Sequence, residues 1–154
     1  MGLVLVVNLH GAINSPGPVR TALEELKVIR KFSASVVSDD PPTMGMLKLC
    51  KERVAWATVD QETLAGLLKK RGMVSGTKAL DVASLKTLGF KSHEELAGKM
   101  VKDQLRLSAI KGVRPFFRLA PPKGGFNKSL RRQASDNGIM GENPALFKLV
   151  ERMA

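Results

Sequence analysis

Apolar positions change period along this chain, and each change marks an element. Leu3-Val4-Leu5-Val6-Val7-Asn8-Leu9 is a nearly continuous apolar run of strand length, the pattern of a strand covered on both faces and central in its sheet. His10, Gly11, Asn14, Ser15, Pro16, Gly17 and Pro18 form a turn cluster ending in a proline suited to the first turn of a helix. That helix is predicted to run to about Ile29, with Val19, Leu23 and Leu26 on one stripe. From Phe32 to Val37 the pattern alternates, with Phe32, Ala34 and Val36 on one side and serines on the other, which predicts a half-exposed strand. Asp39-Asp40-Pro41-Pro42-Thr43 stops and restarts the chain. A second helix from about Thr43 to Lys51 turns Met46, Leu47 and Cys50 inward, and Val54 to Val59 is a third strand. The first sixty residues read β-α-β-α-β.

Beyond them the pattern is mainly helical. Asp60 is placed to cap a helix whose buried face is Leu64, Leu67 and Leu68, and Lys69, Lys70 and Arg71 complement its dipole before Gly72. Asp81 opens a shorter helix that brings Leu85 and Leu88 together and stops at Gly89, while Ser92-His93-Glu94-Glu95 is a capping box leading to Leu96 and Met100. Phe116 to Leu119 returns to strand-like sequence, with Phe116 and Phe117 on opposite faces. Gln133 to Gly141 reads as irregular and mostly polar. Asn143 as cap and Pro144 at the first helical position start a closing helix with Leu146, Leu149, Val150 and Met153 on one side.

Charge changes this picture from a fold to a function class. The 154 residues make one domain, or two small lobes sharing a core, and carry 25 Lys and Arg against 14 Asp and Glu, a net charge of +11. So basic a short chain points to a polyanionic partner, nucleic acid first. The charge is graded: residues 1–60 hold 7 basic and 6 acidic side chains, residues 111–154 hold 9 and 3. Between Lys111 and Arg132 there are 7 Lys and Arg and no acid. Within this stretch Pro121-Pro122 sets up a turn, and Gly124 and Gly125 let backbone amides approach a ligand without a Cβ in the way. One cysteine forms no intramolecular disulfide, the Leu3 to Val7 run is short and lacks the basic flank of a signal peptide, and no apolar run reaches the roughly 20 residues needed to span a bilayer. These features give the expectation of a cytosolic protein with no membrane role.

Other chemistries are thinly supported. His10, His93 and Cys50 have no zinc-ligand spacing; His93 follows a cap and reads as a surface residue, and His10 in its glycine-bearing turn meets either RNA or solvent. Asp39 and Asp40 ahead of Pro-Pro read as turn and cap residues. Gly124-Gly125-Phe126-Asn127-Lys128-Ser129 ends like a P-loop, but Asn127 stands where that motif needs glycine. A nucleotide-handling enzyme using this loop and Asp39-Asp40 with Mg²⁺ is therefore the weaker reading. The preferred one has Lys111, Arg114, Arg118, Lys123, Lys128, Arg131 and Arg132 on RNA phosphates, Gly124 and Gly125 giving backbone access, Phe126 as an RNA contact, and Arg20, Lys48, Lys51 and Arg53 forming a secondary surface.

Several of these segments together resemble a known family. Leu3 to Leu9, the turn with Gly11, Asn14 and Pro16, the helix ending Leu26-Lys27-Val28, and Gly45-Met46-Leu47-Lys48 followed by Val54 are similar to the large-subunit ribosomal protein numbered thirty. Arg118-Leu119-Ala120-Pro121-Pro122-Lys123-Gly124-Gly125-Phe126 and Leu149-Val150-Glu151-Arg152-Met153 are similar to the extension of its long archaeal form, whose eukaryotic relatives are numbered seven. The resemblance gives no expectation here of contacts made by the long basic N-terminal tail of the eukaryotic members. The resemblance implies an α+β fold: a β-α-β-α-β core with a three-stranded antiparallel sheet, ferredoxin-like in part, over residues 1–60, and an α-rich C-terminal subdomain over 61–154 with the basic Gly-Gly loop. It implies a non-catalytic constituent of the large ribosomal subunit without cofactor or small-molecule substrate, whose partners are large-subunit ribosomal RNA, in the region toward the central protuberance, and neighbouring ribosomal proteins. A free RNA-binding assembly factor that visits the ribosome is the alternative.

Overall fold

Strand β1 (Leu3–Asn8) is buried along its whole length and pairs antiparallel on both sides, with β2 (Ser33–Ser38) and with β3 (Val54–Thr58). Leu5 lies opposite Val36 on one side and Ala57 on the other. These strands are joined by α1 (Gly17–Glu25) and α2 (Pro41–Leu49). The computed structural model describes residues 2–154. After β3 come α3 (Gln61–Arg71), α4 (Val82–Thr87), α5 (His93–Asp103), β4 (Phe117–Arg118), β5 (Ser129–Gln133), β6 (Gly138–Glu142) and α6 (Leu146–Met153).

The expected three-stranded antiparallel sheet is present, but as the middle of a six-stranded one in the order β4-β2-β1-β3-β6-β5. Residues beyond 60 supply both edges. β4 pairs antiparallel with β2, and β6 runs parallel to β3 and to β5. The extension is thus not helical alone. Its β6 falls inside the segment read as irregular, because a strand this short with two glycines carries no alternating signal of its own; it is made by pairing with Ala55 and Trp56. On its other side, Gly138 and Gly141 permit the close approach of β5. A Cβ on Gly138 would stand 2.0 Å from the Arg132 carbonyl oxygen, and one on Gly141 (φ +78°) would stand 2.3 Å from Gln133 Oε1.

Side chains alternate across the sheet. Val4 and Val6 face α1 and α2, joining Ala22, Leu23, Leu26, Leu47, Cys50 and Trp56 in one buried cluster. Leu3, Leu5 and Val7 face the other way, into a larger cluster with Ala34, Val36, Leu64, Leu68, Leu96, Met100, Leu146 and Val150. Residues 1–60 and 61–154 therefore share one sheet and the larger of its two buried clusters. No described helix is long and apolar enough to cross a membrane.

Several local expectations are corrected. β2 is buried throughout, serines included, because helices cover both faces and β4 extends the sheet beyond it. The Ser35 hydroxyl donates to the Pro115 carbonyl (2.8 Å). Helix α1 ends at Glu25, four residues before Ile29: Lys27 turns left-handed (φ +61°), and the amides of Lys27 and Val28 donate back to Glu24 and Leu23 carbonyls in a Schellman closure. The Asp60 side chain makes no cap bond to α3. At α5, Ser92 Oγ accepts from the Glu95 amide (3.2 Å), while the Glu95 carboxylate accepts from Lys91 rather than from Ser92 (2.8 Å). α6 begins at Leu146, not Pro144, after an Asn143 side chain that accepts from the Ala145 amide (3.0 Å). His93 is half-buried, its Nε2–H donating to the Leu80 carbonyl (2.7 Å).

Candidate nucleic-acid interface

Pairing register gathers the basic loops at one end of the sheet. Asn8 lies opposite Val54, Val7 opposite Ala34, Ser33 opposite Arg118, and Ser129 beside Gly138. The carboxyl ends of β1 and β4 and the amino ends of β2, β3, β5 and β6 consequently meet. Two residues organise this end. Asn8, fully buried, accepts from the amides of His10 (3.1 Å) and Gly11 (2.8 Å) through Oδ1 and donates to the carbonyls of Val28 (2.6 Å) and Ile29 (3.3 Å) through Nδ2. Arg53 donates from Nη1 to Gly11 (3.2 Å) and Ile13 (3.1 Å) and from Nη2 to Asn14 (3.2 Å). The turn after β1 is fixed from both sides. Gly11 (φ +79°) supplies the left-handed backbone this requires.

Beside this turn lies an open groove of ≈ 570 Å³ lined by Lys51 and Arg53 before β3, by Arg131, Arg132 and Gln133 of β5, and by His10, Glu52 and Asp136. Its walls are tied across the sheet. His10 Nε2 lies 2.8 Å from the Leu130 carbonyl, which only accepts, so that nitrogen carries a proton. Gln133 Nε2 donates to the Lys51 carbonyl (3.2 Å). Four cations face two carboxylates there, an arrangement suited to a phosphate chain rather than to catalysis.

The remaining residues of the sequence reading scatter around this groove. Arg20 lines a second groove that shares His10. Arg118, on β4, and Lys128, just before β5, are exposed at the same end. Lys123, Gly124 and Gly125 form a left-handed turn held against α6: Arg152 Nη1 donates to the carbonyls of Lys123 (3.2 Å) and Gly125 (2.9 Å). The Gly125 amide already donates to Pro122 (3.1 Å). Phe126 is half-buried and stacks on Phe32 with ring centroids 6.3 Å apart, and the Lys31 ammonium lies 5.1 Å above the Phe32 ring. Of the Phe116-Phe117 pair, Phe117 is the inward one, at 1% exposure.

Lys111 and Arg114 lie apart from this end. The Arg114 amide donates to the Met73 carbonyl (2.8 Å), and its guanidinium sits 5.8 Å from the Phe116 ring. Lys48 is exposed on α2 and lines neither groove. Arg30, Lys31, Gln133 and Arg152 have no binding role assigned by the sequence pattern; only Arg30 and Lys31 offer a signal for one, as adjacent cations before a strand. Asp40 is at the opposite end from the glycine turn, since Ser38 pairs with Leu3. Its carboxylate accepts from the Ser38 hydroxyl and from Arg106 Nη2 (3.2 Å), and Arg106 also donates to Ser38 (2.9 Å) and Thr43 (2.9 Å). The hydrogen bond from Ser38 first, and that from Arg106 second, hold the Asp40 carboxyl below its ordinary value of 3.8. The glycine turn and Asp40 do not form one site.

No family model matches the chain. Individual relatives do. It is 39% identical over 155 residues to the large ribosomal subunit protein uL30 of Thermofilum pendens, with 99% of each chain covered. The uL30 of Nitrosopumilus maritimus is 36% identical, with 97% of each chain covered, and that of Ignicoccus hospitalis 36% identical, with 98% of this chain and 97% of the relative covered. Identity at this level, sustained from end to end through both the first sixty residues and the extension, makes the chain a member of the uL30 family of large ribosomal subunit proteins.

Proposed function

We propose that this protein is a structural, non-catalytic constituent of the large ribosomal subunit in the cytoplasm, which supports translation by holding ribosomal RNA against the end of the sheet that carries Asn8. Its other partners are neighbouring ribosomal proteins. One observation carries the reading: Lys51 and His10 from the first part of the chain meet Arg131 and Arg132 from the last part in a single open groove. Lys51, Arg131 and Arg132 take phosphate oxygens, and Lys128 and Arg118 extend the contact along the same end. Arg53 contributes charge, but its guanidinium donates to the Gly11, Ile13 and Asn14 carbonyls, so it acts mainly by fixing the turn. Such a surface reads the path of the backbone more than base identity.

Sedimentation of cell lysate through a sucrose gradient in high salt tests residence on the ribosome. The protein is expected to stay with large subunits after the wash. Recovery only at the top of the gradient would contradict residence and identify a visiting assembly factor.

A further inference from the structure

Ile13 and Ile29 are 81% and 38% exposed, although each sits on fixed backbone. The Ile13 carbonyl accepts from Arg53 and the Ile29 carbonyl from Asn8, so both side chains are held out in place. They line the second groove, ≈ 410 Å³, which joins the first through His10 and is bordered by Arg20, Arg30 and Lys31 with no acidic side chain in its wall. Arg20 also lies 3.6 Å from Glu24, but both side chains are more than half exposed, and a pair of that kind gives way readily to a phosphate.

We propose that this groove takes an unpaired nucleotide of RNA, its base against Ile13 and Ile29 and its flanking phosphates on Arg20, Arg30 and Lys31. The inference rests on the RNA-binding reading above and names the part of the RNA that this surface recognises. A paired A-form stem offers phosphates, riboses and shallow base edges, with its base faces stacked out of reach, so it gives an exposed isoleucine nothing apolar to cover. An unstacked base exposes a flat, weakly hydrated face. Cations on the border and aliphatic groups in the middle match a nucleotide in charge and polarity together. Continuity with the basic groove places this nucleotide on the same strand that Arg131 and Arg132 hold.

The test uses the full chain and two hairpin RNAs of equal length, one fully paired and one with a single-nucleotide bulge carrying 4-thiouridine. Wild type is expected to bind the bulged hairpin about tenfold more tightly, the size expected from covering an aliphatic side chain. Ile13→Ser, at an exposed position, should remove that preference while leaving affinity for the paired hairpin unchanged. Light should cross-link the bulge to the tryptic peptide that contains Ile13, a readout that needs no variant. Equal binding of the two hairpins by wild type, with cross-links elsewhere, overturns the inference and leaves RNA binding itself standing. Binding to neither hairpin nor any ribosomal RNA fragment would instead remove the reading on which it rests. Loss of a ribosomal protein neighbour from Ile13→Ser subunits, with hairpin preference intact, would assign the groove to protein and also overturn it.

Discussion

On one face of the sheet, Val4, Val6, Val37, Val54 and Trp56 are covered by α1 and α2, so that cluster closes within residues 4–56. On the other face, Leu3, Leu5, Val7, Ala34, Val36, Ala55 and Ala57 are covered by Leu64, Leu68, Leu96, Met100, Leu146 and Val150, all beyond residue 60. The first face is built by short connections between neighbouring elements; the second waits for the rest of the chain. The extension therefore does two jobs at once. It buries the open face of the β-α-β-α-β core, and it adds β5 beyond β6 so that Arg131 and Arg132 stand beside Lys51.

The largest effect is expected from cutting the chain after residue 60. That fragment would keep an uncovered face of four Leu and Val from β1 and β2 together with three Ala, a continuous apolar patch of the kind monomers avoid. It should self-associate, bind a hydrophobic dye and lose its cooperative melt. A monomeric fragment that melts sharply would break the comparison, since one covered face would then suffice.

Smaller and sharper is a matched pair of core truncations, Leu23→Ala on the first face and Leu64→Ala on the second, both at fully buried positions. Each should cost about 2–5 kcal/mol. Because the faces share one sheet, urea denaturation followed by both Trp56 fluorescence and circular dichroism should show one transition in each variant. Separate transitions in Leu64→Ala, with Trp56 melting late, would mean that the extension unfolds alone.

The smallest effect concerns the far end, where Arg106 from the extension grips Ser38, Asp40 and Thr43 of the first region. Asp40 has a lower pKa folded than its ordinary 3.8, so the folded state binds its proton less readily than the unfolded chain does. Its contribution to stability is full above the ordinary value and disappears as pH falls through the lower, folded one. Asp40→Asn should therefore lose less stability than wild type between neutral pH and about pH 3, read as the shift in urea midpoint. Equal losses would leave the Arg106 contact without weight in holding the two regions together.

The β-α-β-α-β half was legible because its contacts are local and its periods clean: the Leu3 to Leu9 run, the Val19-Leu23-Leu26 stripe and the Val54 to Val59 strand each carry their own pattern. What escaped was made by long-range pairing. Ser33 and Ser35 look like the wet side of a strand until β4 and the helices bury them. Gly138 to Glu142 has no period of its own and becomes a strand beside Ala55 and Trp56. The site divides in the same way. Its charge was visible as a basic stretch, but nothing in the order of residues sets Gln133 against Lys51, and a sequence cannot tell that the donors of Arg53 go to the backbone carbonyls of a turn.

The most direct measurement is the salt dependence of binding to a large-subunit ribosomal RNA fragment by wild type and by an Arg131→Ala/Arg132→Ala variant. Wild-type affinity should fall steeply as salt rises. The variant, with unchanged circular dichroism, should bind more weakly and show a slope shallower by about 1.4 to 1.8, the two lost phosphate contacts. An unchanged slope in the variant, or wild-type binding indifferent to salt, would contradict the account.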